Sequence, residues 1–257
     1  MKRLLLAGLL AFTAPGVQAQ SLEEVRSEAE AGNAEAMYDL GVMLIEGRAG
    51  ASDLAAGREW TEKAADLGHA PAQHGLGLLY IGATGDEPDW DKAAHWFRAA
   101  AEQGFAPAEY HLGVLYAEGR GVERNLVEAG EWIKRAALQS HGDAILDYGI
   151  MVFRGEGVQK NEDIGAQWLL VAARQGNPVA QNRLARIYAL GRGVESEPIE
   201  AAKWHRLASQ AGRPDPELDT FVEALSEEQR EEARARAERF TAEAGDRRAA
   251  SGTRENQ

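Results

Sequence analysis

The stretch "GRGVERNLVEAGEWIKRAA", which runs from Gly119 to Ala137, decides the fold of this chain. Its two glycines, one residue apart and followed by a helical pattern, look at first like a phosphate-binding loop. No strand pattern precedes them, however, and related stretches recur, "GEGVQKN" after Arg154 and "GRGVESE" after Leu190. We therefore interpret Gly119 as the end of one helix and Gly121 as the turn into the next.

A ladder of tryptophans shows that the chain is repetitive. Five of the six tryptophans are spaced 36 residues apart, and only Trp90 lies off this spacing. The ladder consists of Trp60, Trp96, Trp132, Trp168 and Trp204. A column of small residues shares the period, namely Gly41, Gly77, Gly113, Gly149 and Ala185. A fixed period of this length is typical of stacked structural repeats, and we assign the tryptophans to the structural core of five such repeats.

Each repeat has the pattern of two helices. The first helix combines large apolar residues with the small-residue column, which lets a neighbouring helix approach closely. The second helix begins after a capping column and ends at a turn that favours glycine. The capping column is Asp53, Asp89, Asn125, Asn161 and Glu197, and the closing column is Gly68, Gly104, Ser140, Gly176 and Gly212.

The third copy carries a resemblance to the Sel1-like repeats, relatives of the tetratricopeptide repeats. The matching residues are Ala108, Leu112, Gly113, Tyr116, Gly119, Gly121, Val122, Ala129, Trp132, Lys134, Ala136 and Ala137. This resemblance implies an all-α fold, a right-handed αα-solenoid of five 36-residue helix pairs at residues 34–69, 70–105, 106–141, 142–177 and 178–213. Residues 20–33 are predicted to form an N-terminal capping helix and residues 214–244 C-terminal capping helices, because a terminal repeat otherwise exposes its apolar face. Residues 245–257 are predicted to be a disordered tail.

The first nineteen residues have the pattern of a signal peptide. Lys2 and Arg3 precede a nine-residue apolar run, and a small-residue cleavage site ends at Ala19. We expect a soluble mature chain that begins at Gln20, in the periplasm or outside the cell, with no stable membrane insertion because the run is too short to span a bilayer. The formal net charge of −13 argues against a nucleic-acid partner.

No combination of residues indicates catalysis, a metal site or a cofactor. The six histidines fall mostly in different repeat columns, and none of the motifs H-E-x-x-H, G-x-S-x-G and S-x-x-K occurs. His69 and His141 share a column but lie two repeats apart. The acidic stretch "GDEPDWD" at residues 85–91 lacks the ligand spacing of a calcium loop, and we interpret it as a helix start with an acidic first turn.

The resemblance implies a non-catalytic scaffold that binds a protein or peptide along the concave face formed by the first helices. The residues predicted to form this partner-binding face are Tyr38, Asp39, His74, Tyr110, His111, Leu146, Asp147, Asn182 and Arg183. Trp90 has two interpretations, packing beneath the loop or contacting a partner. The resemblance leaves two other functions open, an inhibitory regulator of an envelope sensor pathway and, less well supported, a cell-wall-active or β-lactamase-like hydrolase.

Overall fold

A computed structural model describes residues 21–82 and 87–252, with side chains as far as residue 246. The predicted signal peptide therefore lies outside the described residues. Within them the only regular secondary structure is α-helix. The helices are α1 (Leu22–Glu30), α2 (Ala34–Glu46), α3 (Leu54–Asp66), α4 (Ala70–Tyr80), α5 (Trp90–Glu102), α6 (Ala106–Glu118), α7 (Leu126–Leu138), α8 (Gly142–Arg154), α9 (Glu162–Arg174), α10 (Pro178–Leu190), α11 (Pro198–Gln210), α12 (Pro216–Glu223) and α13 (Glu227–Gly252).

The helices form two compact units, one ending at Ala136 and the other beginning at Ala137. In the first unit, each helix from α1 to α5 packs against the next one along the chain. In the second unit, α8 to α11 pack in the same successive manner, α12 contacts α10 and α11, and α13 packs against α11. Successive packing of helix pairs defines an αα-solenoid, so the predicted fold class is confirmed.

The second helices begin where the capping column predicts. Side-chain oxygens of Asp53, Asp89, Asn125 and Asn161 accept hydrogen bonds from backbone N–H groups two or three residues later. Each cap satisfies a donor that the first helical turn leaves without a partner. Glu197 makes no such bond, and α11 instead begins with Pro198, whose missing N–H needs no acceptor.

The small-residue column is required where the two helices of a repeat meet. A Cβ atom placed on Gly113 would lie 2.6 Å from Cγ1 of Ile133, and one placed on Gly77 would lie 2.4 Å from the Phe97 ring. A second column of small residues, on the second helices, is also fully buried: Ala64, Ala100, Ala136, Ala172 and Ala208. Any larger side chain in these columns would force the helices apart.

The tryptophan ladder is less buried than expected for a core column. Trp204 is 1% exposed, but the other four are half-buried. Trp132 packs against the core on one side and lines an open groove on the other. The residue that follows each tryptophan, by contrast, is buried in every copy, and none of these residues, Thr61, Phe97, Ile133, Leu169 and His205, is more than 5% exposed. The assignment of all five tryptophans to the core is therefore corrected, because four of them lie at its edge.

Helices cover both ends as predicted, but the C-terminal one is longer. Val25 and Ala29 of α1 are buried against α2. At the other end Ala233 and Ala237 are buried, and the Phe240 ring lies 5.3 Å from that of Trp204. The predicted tail is wrong for residues 245–252, which continue α13. Extending an existing helix costs little once its first turns have formed, and the alanines and arginines of this segment favour helix.

Candidate partner-binding site

The predicted binding residues of the first unit divide into buried and accessible ones. Asp39 is exposed, and Tyr110 and His111 are half-buried. Tyr38 and His74, however, are only 8% and 6% exposed, so their predicted place on an open surface is wrong. The Tyr38 ring lies against the backbone of Gly75 in the next repeat, where a Cβ atom would be 3.0 Å away. Burial, with the charges of Asp39 and Glu46, raises the pKa of Tyr38 to about 12.

His74 and His111 form a pair that the sequence analysis missed. Nε2 of His74 lies 3.2 Å from Nδ1 of His111, which also lies 2.8 Å from the carbonyl oxygen of Pro107. Because the carbonyl only accepts, Nδ1 of His111 carries the hydrogen and Nε2 of His74 faces it as an acceptor. The Phe97 ring stacks on His111 at 5.0 Å. The two histidines are separated by one repeat plus one residue, so they lie on the first helices of neighbouring repeats, which pack side by side. This spacing was the signal in the sequence that could have predicted the pair.

Trp90 packs against the loop of the following repeat. Gly121 has a φ of +63°, and a Cβ atom there would lie 2.0 Å from the carbonyl oxygen of Trp90. The Arg120 guanidinium lies 4.7 Å from the centre of the indole, a cation–π distance. The glycine therefore supplies both the left-handed backbone and the space that this contact needs. Packing accounts for Trp90 here, and a partner contact stays a prediction. Asp86, in the acidic stretch, lies outside the described residues.

In the second unit the C-terminal segment covers part of the predicted face. Asp215, the N-cap of α12, accepts hydrogen bonds from Nδ2 of Asn182 at 2.8 Å and from Arg186 at 2.7 and 2.8 Å. Burial alone would raise the pKa of Asp215, but these hydrogen bonds outweigh it and lower the pKa to about 2. Asn182 therefore anchors α12. Leu146 is 9% exposed and its predicted surface position is also wrong, whereas Asp147 and Arg183 are half-buried.

Arg183 lines a cavity of about 270 Å³ in the second unit. Its apolar walls come from Ile150, Phe153, Leu169, Ile187 and Leu190, and its polar walls come from Arg154, Arg183, Arg186 and Arg192. An accumulation of arginines is unusual in a chain with a net charge of −13. We name this feature the arginine cavity. Of these residues only Arg183 belongs to the predicted binding face, because none of the others shares its repeat column.

Among residues 21–82 and 87–252, no group of three or more His, Asp or Glu side chains is placed to hold a metal ion. None of the helices within those ranges has the length and apolar character needed to cross a bilayer.

The fold and this surface define a helical-repeat protein of the αα-solenoid class. The Sel1 repeat family matches residues 34–69, 70–105, 106–141, 142–177 and 178–212. The chain therefore belongs to the Sel1 repeat family, as the resemblance in its sequence predicted. Members of this family are typically protein-interaction scaffolds.

Solved structures agree with the assignment. A Sel1 repeat protein from Oxalobacter formigenes is 29% identical, with a TM-score of 0.66, over 81% of this chain and 83% of that one. The protective antigen c5321 of uropathogenic Escherichia coli, which displays an SLR fold, is 28% identical with a TM-score of 0.54. That match covers 88% of this chain and 57% of the antigen. A comparison with curated proteins gives no match.

Proposed function

We propose that this chain is an exported, non-catalytic scaffold that binds a protein or peptide partner through its first helices. The observation that carries this proposal is the contrast between columns. The small-residue and alanine columns are nearly invariant and buried, while the accessible first-helix positions differ in charge and chemistry from copy to copy, as Asp39, His111, Asp147 and Arg183 show. A repeated core combined with a varied surface suits selective binding.

The test is capture of an envelope partner by two matched variants of the full mature chain. Asp39→Lys with Asp147→Lys reverses two charges on the first helices. Asp66→Lys with Glu131→Lys reverses two exposed charges on second helices. We expect a partner that the wild type and the second-helix variant retain equally and that the first-helix variant loses by at least tenfold. Equal retention by both variants would show that the partner uses another surface, and capture of no protein by the wild type would contradict the scaffold function.

A further inference from the structure

The arginine cavity contains one guanidinium that lacks a full set of partners. Arg186 is paired with Asp215 and Glu217, Arg192 with Glu162, and Arg154 with Glu156. Arg183 differs, because its Nε is buried and has no hydrogen-bond partner among the described residues. Burial, followed by repulsion from Arg154 and Arg213, lowers the pKa of Arg183. The rest of the half-buried Arg183 side chain lines the cavity, so a ligand carboxylate bound there would compensate a positive charge that burial makes costly.

Apolar surface lies directly beside this positive charge. Phe153 and Ile150 line the same cavity as Arg183. Leu190, at the end of α10, is 69% exposed, although it is one of the largest apolar side chains of the cavity wall. A volume of about 270 Å³ is slightly below the roughly 300–1,000 Å³ typical of small-molecule sites. The cavity therefore suits one large apolar side chain together with a neighbouring carboxylate.

We propose that the arginine cavity binds a linear segment of a partner protein in which an Asp or Glu lies within about three residues of a large apolar side chain. The carboxylate accepts hydrogen bonds from the accessible part of the Arg183 guanidinium, and the apolar side chain packs on Phe153 and Leu190. Charge-assisted bonds from a guanidinium to a carboxylate are strong and directional. The inference rests on the proposed scaffold function and names the chemistry of its partner.

The test is selection from a phage-displayed library of linear twelve-residue peptides on the full mature chain. We expect the enriched peptides to combine an acidic residue with a nearby Phe, Leu, Ile, Met or Trp. Arg183→Gln should weaken binding of a synthetic enriched peptide by tenfold or more, and replacing its acidic residue with the amide should do the same. Arg234→Gln, which removes an equal charge from an exposed position on α13, is the matched control and should bind normally.

The thermal stability of Arg183→Gln separates binding from folding. Because the substitution removes a guanidinium whose Nε lacks a partner, Tm should stay unchanged or rise. Enriched peptides without acidic residues, or peptides that Arg183→Gln binds as the wild type does, overturn the cavity proposal while leaving the scaffold function in place. Failure to enrich any peptide overturns the proposal of a linear segment. Binding of inorganic phosphate with peptide-like affinity would show instead that the cavity recognises a phosphorylated ligand.

Discussion

At the scale of single residues, the turn that closes each repeat requires one residue in the left-handed backbone region. Glycine occupies this position in four copies, but Ser140 adopts a φ of +67° in the third. A Cβ atom makes this conformation unfavourable by about 1–2 kcal/mol. Replacing Ser140 with glycine removes that cost, but the greater conformational freedom of glycine in the unfolded chain offsets part of the gain in stability. We expect Ser140→Gly to raise the free energy of unfolding by about 0.5–1 kcal/mol. Urea denaturation measures this, with Ser140→Ala as the control, which should bring no gain.

His141 caps a helix in a way that depends on its protonation. Its Nδ1 accepts a hydrogen bond from the backbone N–H of Ala144 at 3.3 Å. Burial lowers the pKa of His141 below its ordinary value of 6.5, despite the opposing charge of Asp143. A histidine whose pKa is lower in the folded state than in the unfolded state makes its full contribution to stability at pH values above the unfolded pKa. Its contribution declines as pH falls below about 6.5 toward the folded pKa.

We therefore expect His141→Asn to change stability in a pH-dependent way. Asparagine keeps an uncharged capping oxygen at every pH. The variant should match the wild type near pH 8 and exceed its free energy of unfolding by roughly 1 kcal/mol near pH 5. Denaturation at both pH values measures the difference. A gain of equal size at both would show that protonation of His141 does not affect the cap.

At the scale of the elements, the second helices place adjacent aromatic residues in different surroundings. On α5, Phe97 is fully buried against Gly77 of α4, whereas Trp96 is half-buried at the edge of the core. Truncating a fully buried aromatic side chain costs about 3–5 kcal/mol. We expect Phe97→Ala to lose that much stability and Trp96→Ala to lose roughly 1–2 kcal/mol, although tryptophan is the larger residue. Thermal or urea unfolding of the pair decides this, and a greater loss for Trp96→Ala would restore the tryptophan ladder as the core.

The buried carboxylate of Asp215, at the start of α12, binds Asn182 and Arg186 of α10. Because the pKa of Asp215 is lowered from 3.8 to about 2, its ionised form stabilises the fold above about pH 4. That contribution disappears as pH falls through about 2. It amounts to roughly 2 kcal/mol. We expect Asp215→Asn to be less stable by that amount at pH 6 and to approach the wild type near pH 2. Asp91→Asn, at an exposed position, is the control, and a stability gap for Asp215→Asn that persists unchanged to pH 2 would contradict this explanation.

At the scale of the whole molecule, the proposed export depends on residues 1–19. The basic start, the short apolar run and the small residues before Gln20 are typical of a cleaved signal. We expect the chain produced in a Gram-negative host to be recovered from the periplasmic fraction with Gln20 as its first residue. N-terminal sequencing measures this, and replacing Leu9 and Leu10 with arginine should retain the uncleaved chain in the cytoplasm. A wild-type chain that keeps residues 4–12 would contradict export.

The sequence alone was sufficient for the array. The period of 36 residues, the capping residues such as Asn161 and the closing glycines are local properties that recur in four of the five repeats or more. Helix caps and left-handed turns depend on a few neighbouring residues, so their positions can be read without knowing what packs where. The same repetition identified the small-residue column as the contact between paired helices.

Only the tertiary structure decided which first-helix residues are accessible and which of them meet. Tyr38 and Asn182 share a repeat column, yet one is buried against Gly75 and the other bonds Asp215 of the C-terminal segment. The pairing of His74 with His111 and the assembly of the arginine cavity join residues from different columns and different repeats. Whether a first-helix residue is buried or paired depends on which side chains the neighbouring helix places against it. A sequence pattern that recurs in every repeat does not predict those contacts.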